Sequence, residues 1–91
     1  MINLKSIVVA KNHVSCDLLN ESTILNVDTG MYYGLNEIGS EIWRALKDER
    51  ELSEVLTLLL EKYEVDSETC RIDLIDVVEQ LHELKLVDIV I

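Results

Sequence analysis

Proline is absent from this 91-residue chain, and glycine occurs only three times. A disordered or low-complexity segment would be rich in one or both, so a folded chain is expected. No run of about 18 apolar residues occurs, which excludes a membrane-spanning helix. The start MINLKSIVVAKNH lacks a long apolar stretch with a small-residue cleavage site. Export through a signal peptide is therefore not expected, and a cytoplasmic location is. Basic residues are scarce: eight Lys and Arg stand against eighteen Asp and Glu, for a net charge of -10. Such a chain repels phosphate backbones and anionic lipid. Solubility is one reading of that charge, and a preference for basic peptide partners is the other.

The two cysteines, Cys16 and Cys70, lie far apart and form neither a CxxC nor a zinc spacing. Buried, reduced thiols are expected, though spacing alone does not decide against a disulfide. No glycine-rich phosphate loop, HExxH, GxSxG or calcium loop occurs. Either cysteine could in principle pair with His13 or His82. Cys16, however, falls on the apolar face of a predicted strand, and Cys70 opens the apolar stripe of a predicted helix, so packing is the expected role of both. His13 and His82 stand among polar positions, where solvent exposure is expected. The sequence thus calls for no catalytic residue, no metal and no cofactor.

Hydrophobic residues make up 48% of the chain, enough for one domain over residues 1–91 with a modest core. The first third reads as strands: Ile7–Ala10, His13–Leu19, Thr23–Val27 and Met31–Leu35. Lys11-Asn12 and Asn20-Glu21-Ser22 read as turns. Asp28-Thr29-Gly30 reads as a three-residue hairpin loop with Gly30 left-handed. Strands joined this way form an antiparallel meander, which places Met31–Leu35 at an edge. Three helices follow. Asn36 caps the first, which carries Ile38, Ile42, Ala45 and Leu46 at helical spacing. Gly39 weakens it, and close packing against the sheet is a reason to keep glycine there. The second starts near Ser53, with Val55, Leu56, Leu59, Leu60 and Tyr63 as its stripe. Asp66 or Ser67 caps the third, which runs to about Leu84, and the tail Leu86–Ile91 reads as a terminal strand.

On the third helix Cys70, Leu74, Val77, Val78, Leu81 and Leu84 share the core face, while Ile72 and Ile75 point elsewhere among Arg71, Glu79 and His82. Those two isoleucines are either buried against another element or form one wall of an apolar groove. The edge strand Met31–Leu35 would be the other wall, since it carries no proline or charge to blunt it and could pair with a strand-shaped ligand. On that reading Ile75→Asp weakens binding in a folded protein, and Leu74→Ala destabilises the core. Three helices and a terminal strand also suggest a winged helix-turn-helix. Between Asp66 and Lys85, however, stand six acids and two bases, a net charge of -4 on the would-be recognition helix. Most DNA binding is phosphate neutralisation by Lys and Arg, so a nucleic-acid partner is not expected.

The stretch Thr23–Trp43, TILNVDTGMYYGLNEIGSEIW, resembles the PqqD-like family of peptide-recognition domains. The resemblance is carried by the Asp28-Thr29-Gly30 hairpin, by Tyr32-Tyr33-Gly34-Leu35-Asn36 and by Ile42-Trp43. The later Asp76-Val77-Val78, Leu81 and Leu84 extend it over nearly the whole chain. It is strongest to the stand-alone members of lasso peptide pathways. It implies an α+β fold, with a small N-terminal antiparallel sheet followed by a three-helix, winged helix-turn-helix-like bundle. It also implies a function: such domains bind the leader of a ribosomally made precursor, which adds as a strand beside the third strand of the sheet and packs on the third helix. They present it to a separate cysteine-protease leader peptidase and to an ATP-dependent cyclase. The family has no catalytic residues to carry over. The implied binding residues are Met31, Tyr32, Tyr33, Gly34 and Leu35, with Arg71, Ile72, Ile75, Val78, Glu79 and His82 on the third helix. A departure from the simplest pattern is the glutamate-rich third helix, which bears on leader choice. A PqqD-like chaperone for a radical-SAM peptide-modifying enzyme is a second reading, and a winged-helix transcriptional regulator a third.

Overall fold

Alternation along Glu21–Asn26 organises the first half of the molecule: Ser22, Ile24 and Asn26 are buried, while Glu21 and Thr23 are exposed. The computed structural model describes residues 2–11, 13–18 and 21–91, and for 13, 14 and 16–18 the backbone alone. The elements in chain order are β1 (Ile7–Ala10), β2 (His13–Leu18), β3 (Glu21–Asn26), β4 (Tyr32–Leu35), α1 (Glu37–Ala45), β5 (Arg50–Glu51), α2 (Leu52–Lys62), α3 (Ser67–Glu83) and β6 (Val87–Ile89). The expected roles of His13 and Cys16 and the turn positions Asn12 and Asn20 fall outside the described residues, whereas Glu21 and Ser22, expected in a turn, belong to β3 and pair with Leu18 and Asp17.

The fold class is α+β, with small antiparallel sheets and three helices. The four expected strands do not form one meander. β2, β3 and β4 make one sheet, in that order, and β1 leaves it to become the centre of a second sheet, β5-β1-β6. The physical reason is the β-branched tail. Val8 pairs with Ile89 and Ala10 with Val87, so the two chain ends bury Val8, Val87 and Leu86 together. The tail continues the pairing past β6, with Val90 N–H donating to the Ile7 carbonyl at 2.7 Å.

The β3–β4 hairpin closes where expected, although the loop is two residues longer and includes Val27 and Met31. Gly30 takes φ +74°, and its N–H donates to the Asn26 carbonyl at 2.9 Å. The Asn26 carboxamide oxygen accepts from the Asp28 and Thr29 N–H groups inside the loop.

Asn36 caps α1 by accepting from Gly39 N–H at 2.8 Å. A Cβ on Gly39 would lie 3.2 Å from that capping oxygen and 3.5 Å from the Leu35 Cβ, so close approach to the strand end explains the glycine. Helix α2 starts one residue before Ser53. Its cap position is Glu51, whose side chain makes no capping bond. Asp66 caps α3 through Thr69 N–H at 3.0 Å. Cys70, Leu74, Val78 and Leu81 of α3 pack with Ile24, Ile42, Trp43, Leu46, Leu52, Val55 and Leu59 as the core, and Cys70 is a free thiol. Helix α3 ends in a left-handed Lys85 at φ +61°, with Leu86 N–H donating back to the Leu81 carbonyl at 2.9 Å.

Candidate functional site

β4 is hydrogen-bonded to β3 on one side only, so its other edge is open. The ladder's phase decides which backbone groups face that edge. Asn26 N–H donates to the Met31 carbonyl at 2.9 Å. Amide direction alternates along an antiparallel pair, so Tyr33 and Leu35 turn their N–H and C=O groups to β3. Those of Tyr32 and Gly34 point outward, free to pair. At the end of the ladder the Ser40 hydroxyl accepts from Ser22 N–H at 2.8 Å and donates to the Leu35 carbonyl at 3.2 Å. This buried hydroxyl rivets α1 to the sheet.

Side chains alternate too. Ile24 opposes Tyr33 and Ser22 opposes Leu35 on the inner face, while Leu25 opposes Tyr32 and Thr23 opposes Gly34 on the outer. Tyr33 and Leu35 are accordingly half-buried, whereas Tyr32 is 69% exposed. Met31 lies just before β4 and is exposed.

A groove of about 240 Å³ runs between this strand and α3. Tyr33, Gly34 and Leu35 form one wall. Val77, Gln80, Leu81 and Leu84 form the other, and Asn36 and Gly39 close one end. At the far end the Asn26 carboxamide donates to the Leu84 carbonyl at 2.9 Å, joining the hairpin to the C-terminus of α3. The same side chain thus shapes the turn and sets the strand's position against the helix.

The helix wall differs from the sequence expectation. At 100° per residue, Val77, Gln80 and Leu84 share a flank, and Ile72, Ile75, Glu79 and His82 lie on the opposite one. Ile75 is half-buried against the core, and Ile72 is 53% exposed, away from the groove. Glu79 and His82 line a second cavity of about 570 Å³, with Ile2, Lys5 and Ile89. Arg71 is held by Glu68, whose carboxyl the Arg71 hydrogen bond and charge keep below the usual carboxylate range. Val78 is fully buried, behind the wall rather than on it. The missed residues were legible in part. The apolar stripe of α3 spans about 120°, wider than one contact needs, and its Val77–Leu84 margin serves the groove.

The described residues contain no group of three or more His, Cys, Asp or Glu placed to hold a metal. None of their helices is long and apolar enough to cross a membrane. Burial, then the Asp73 charge, raises the Cys70 pKa and keeps the thiol protonated, the state of an inert packed cysteine.

An unpaired strand edge held alongside one flank of a helix defines a class: a small α+β domain with a preformed strand-accepting groove. The family profile described as Coenzyme PQQ synthesis protein D (PqqD) matches residues 21–87, from β3 into β6. The chain belongs to this PqqD family. Among solved structures, the one described as "TbiB1 in Complex with the TbiA(beta) Leader Peptide" is 30% identical, with a TM-score of 0.81 over 88% of this chain and 93% of that one. "Lasso peptide synthetase B1 complexed with the leader peptide" shares the fold at 21% identity, with a TM-score of 0.78 over 89% of this chain and 96% of that one. No curated protein matches the sequence.

Proposed function

We propose that this protein binds the leader segment of a lasso-type precursor peptide by strand addition to β4, in the groove between β4 and α3. It acts as one recognition unit over residues 1–91, in the cytoplasm, and hands the bound precursor to a separate cysteine-protease leader peptidase and an ATP-dependent cyclase. The observation that carries this is the open β4 edge. Outward amides at Tyr32 and Gly34 stand beside an apolar wall of Val77, Leu81 and Leu84, which is what an added strand requires. Two relatives of the same fold hold leader peptides. Met31, Tyr32, Tyr33, Gly34 and Leu35 stay in the proposed site, and Val77, Gln80, Leu81 and Leu84 replace the earlier helix residues. The proposed role is binding without turnover, and it is supported by the Cys70 thiol, which is buried and held protonated.

The PqqD profile keeps a second reading in view, delivery of a peptide to a radical-SAM modifying enzyme. The groove chemistry is the same, and the two differ in the partner that receives the peptide. The test is a titration with the synthetic leader of the precursor encoded alongside this gene, followed by amide exchange. Leader binding slows exchange at Tyr32 and Gly34. Saturable binding that protects α2 and leaves β4 unchanged would falsify the site.

A further inference from the structure

The two ends of the groove differ in charge. At the hairpin end α3 finishes at Leu84, whose carbonyl Asn26 holds, and Lys85 follows. At the other end, beyond Asn36 and Gly39, α3 continues back through Asp76 and Asp73. Asp73 stands four residues before Val77 and seven before Gln80, on the same helix flank. Asp76 accepts from the Gln80 carboxamide at 3.0 Å, and Gln80 lines the groove, so Asp76 lies on its outer rim. Both aspartates are exposed, and neither has an ion-pair partner among the described residues. Arg71, the one arginine of α3, is engaged by Glu68. β4 itself carries no charge. At the hairpin end the exposed Asp28 and Lys85 carry opposite charges, whereas a strand lying in the groove meets two aspartates at the other end, where an acidic residue is repelled and a basic one attracted.

We infer that the peptide this groove selects carries a lysine or arginine immediately beyond its groove-filling apolar residues, opposite Asp73 and Asp76. The inference rests on the leader-binding reading and names the chemistry of the ligand. An extended strand turns alternate side chains to one face, so the apolar residues fall two apart. The side on which the basic residue falls reports the strand's direction, because β4 runs from the Lys85 end toward the aspartates.

The test is selection of a displayed library of randomised short peptides on the full chain, with recovered peptides titrated. Expected are apolar residues at alternate positions with Lys or Arg enriched on one side. Changing that residue to Gln should lower affinity by about two- to five-fold per ion pair. The loss should vanish in Asp73→Asn/Asp76→Asn protein, which melting curves should show folded, and should shrink as salt is raised. Peptides that depend on Val77 but show no basic enrichment, or that lose nothing on the change to Gln, overturn the inference and leave leader binding standing. Recovery of no peptide sensitive to Val77→Asp overturns the leader-binding reading itself.

Discussion

Among the described residues two adopt left-handed backbone, and one of them is not glycine. Gly30 at φ +74° closes the hairpin, and Lys85 at φ +61° ends α3. An L side chain at such a φ is strained. Lys85→Gly should therefore raise stability by up to about 1 kcal/mol, and Gly30→Ala should lower it by about 1 kcal/mol, read from thermal melts. Along α3 three neighbours separate core, flank and groove. Leu74 is fully buried, and Leu74→Ala should cost about 2–5 kcal/mol of folding stability. Ile75 is half-buried on the flank away from β4, so Ile75→Asp should lower the melting point and leave peptide affinity per folded molecule unchanged. Val77 is also half-buried against the core, so Val77→Asp should lower the melting point too, but losing burial worth about 1.5–3 kcal/mol in the complex should in addition weaken affinity per folded molecule about ten-fold or more. Equal affinity loss in the Ile75 and Val77 variants would show that both flanks of α3 touch the ligand.

At the scale of elements, the groove depends on ties at its two ends. Asn26 satisfies the Leu84 carbonyl and two loop amides at once. Asn26→Ala leaves these groups without their partner and should destabilise the protein by about 1–3 kcal/mol. It should also speed amide exchange in β4 more than in α2, since the hairpin loses its anchor on α3. Helices α1 and α2 are joined by the Tyr63 hydroxyl, which donates to Glu37 at 3.0 Å. Partial burial, then that bond and the nearby Glu37 charge, push the Tyr63 pKa from 10.0 to about 12. The neutral phenol is thus favoured in the folded state. Its contribution to stability is complete below pH 10 and is lost as pH rises through about 12. Denaturation midpoints measured across that window should fall further in the parent than in Tyr63→Phe, where no phenol titrates. A parallel fall in both proteins would show that other groups carry the alkaline loss.

For the whole molecule, charge sets what approaches it. A net charge of -10, with most of the acids exposed, opposes a phosphate backbone at every orientation. Although three helices and a returning strand suggest a DNA-binding arrangement, the protein should not retard duplex DNA, even at low salt where phosphate contacts are strongest. A shift that weakens as salt is added would contradict this.

Much was determined by the sequence alone, because local rules act over a few residues. The hairpin at Gly30, the caps at Asn36 and Asp66, the stripe Cys70–Leu74–Val78–Leu81 and the strand at β4 all follow from backbone preference and periodicity. The acidic character of α3, which argues against a recognition helix, is also read directly. The start of α2 was displaced by one residue because Glu51 holds the cap position without a capping bond. What only the tertiary structure decided is which element lies against which. β1 abandons the meander for the distant tail, since burying Val8 with Val87 and Leu86 requires contacts across nearly the whole chain. Which flank of α3 faces β4 depends on the rotation of a helix about its own axis. Periodicity marks the apolar arc of α3, but not which margin of that arc is core and which is groove. Burial of Cys70, Leu74, Val78 and Leu81 in the core fixes that rotation, and the Asn26–Leu84 bond, between residues 58 apart, holds the hairpin on the flank where Val77 and Gln80 face the open strand and Ile75 and His82 face away.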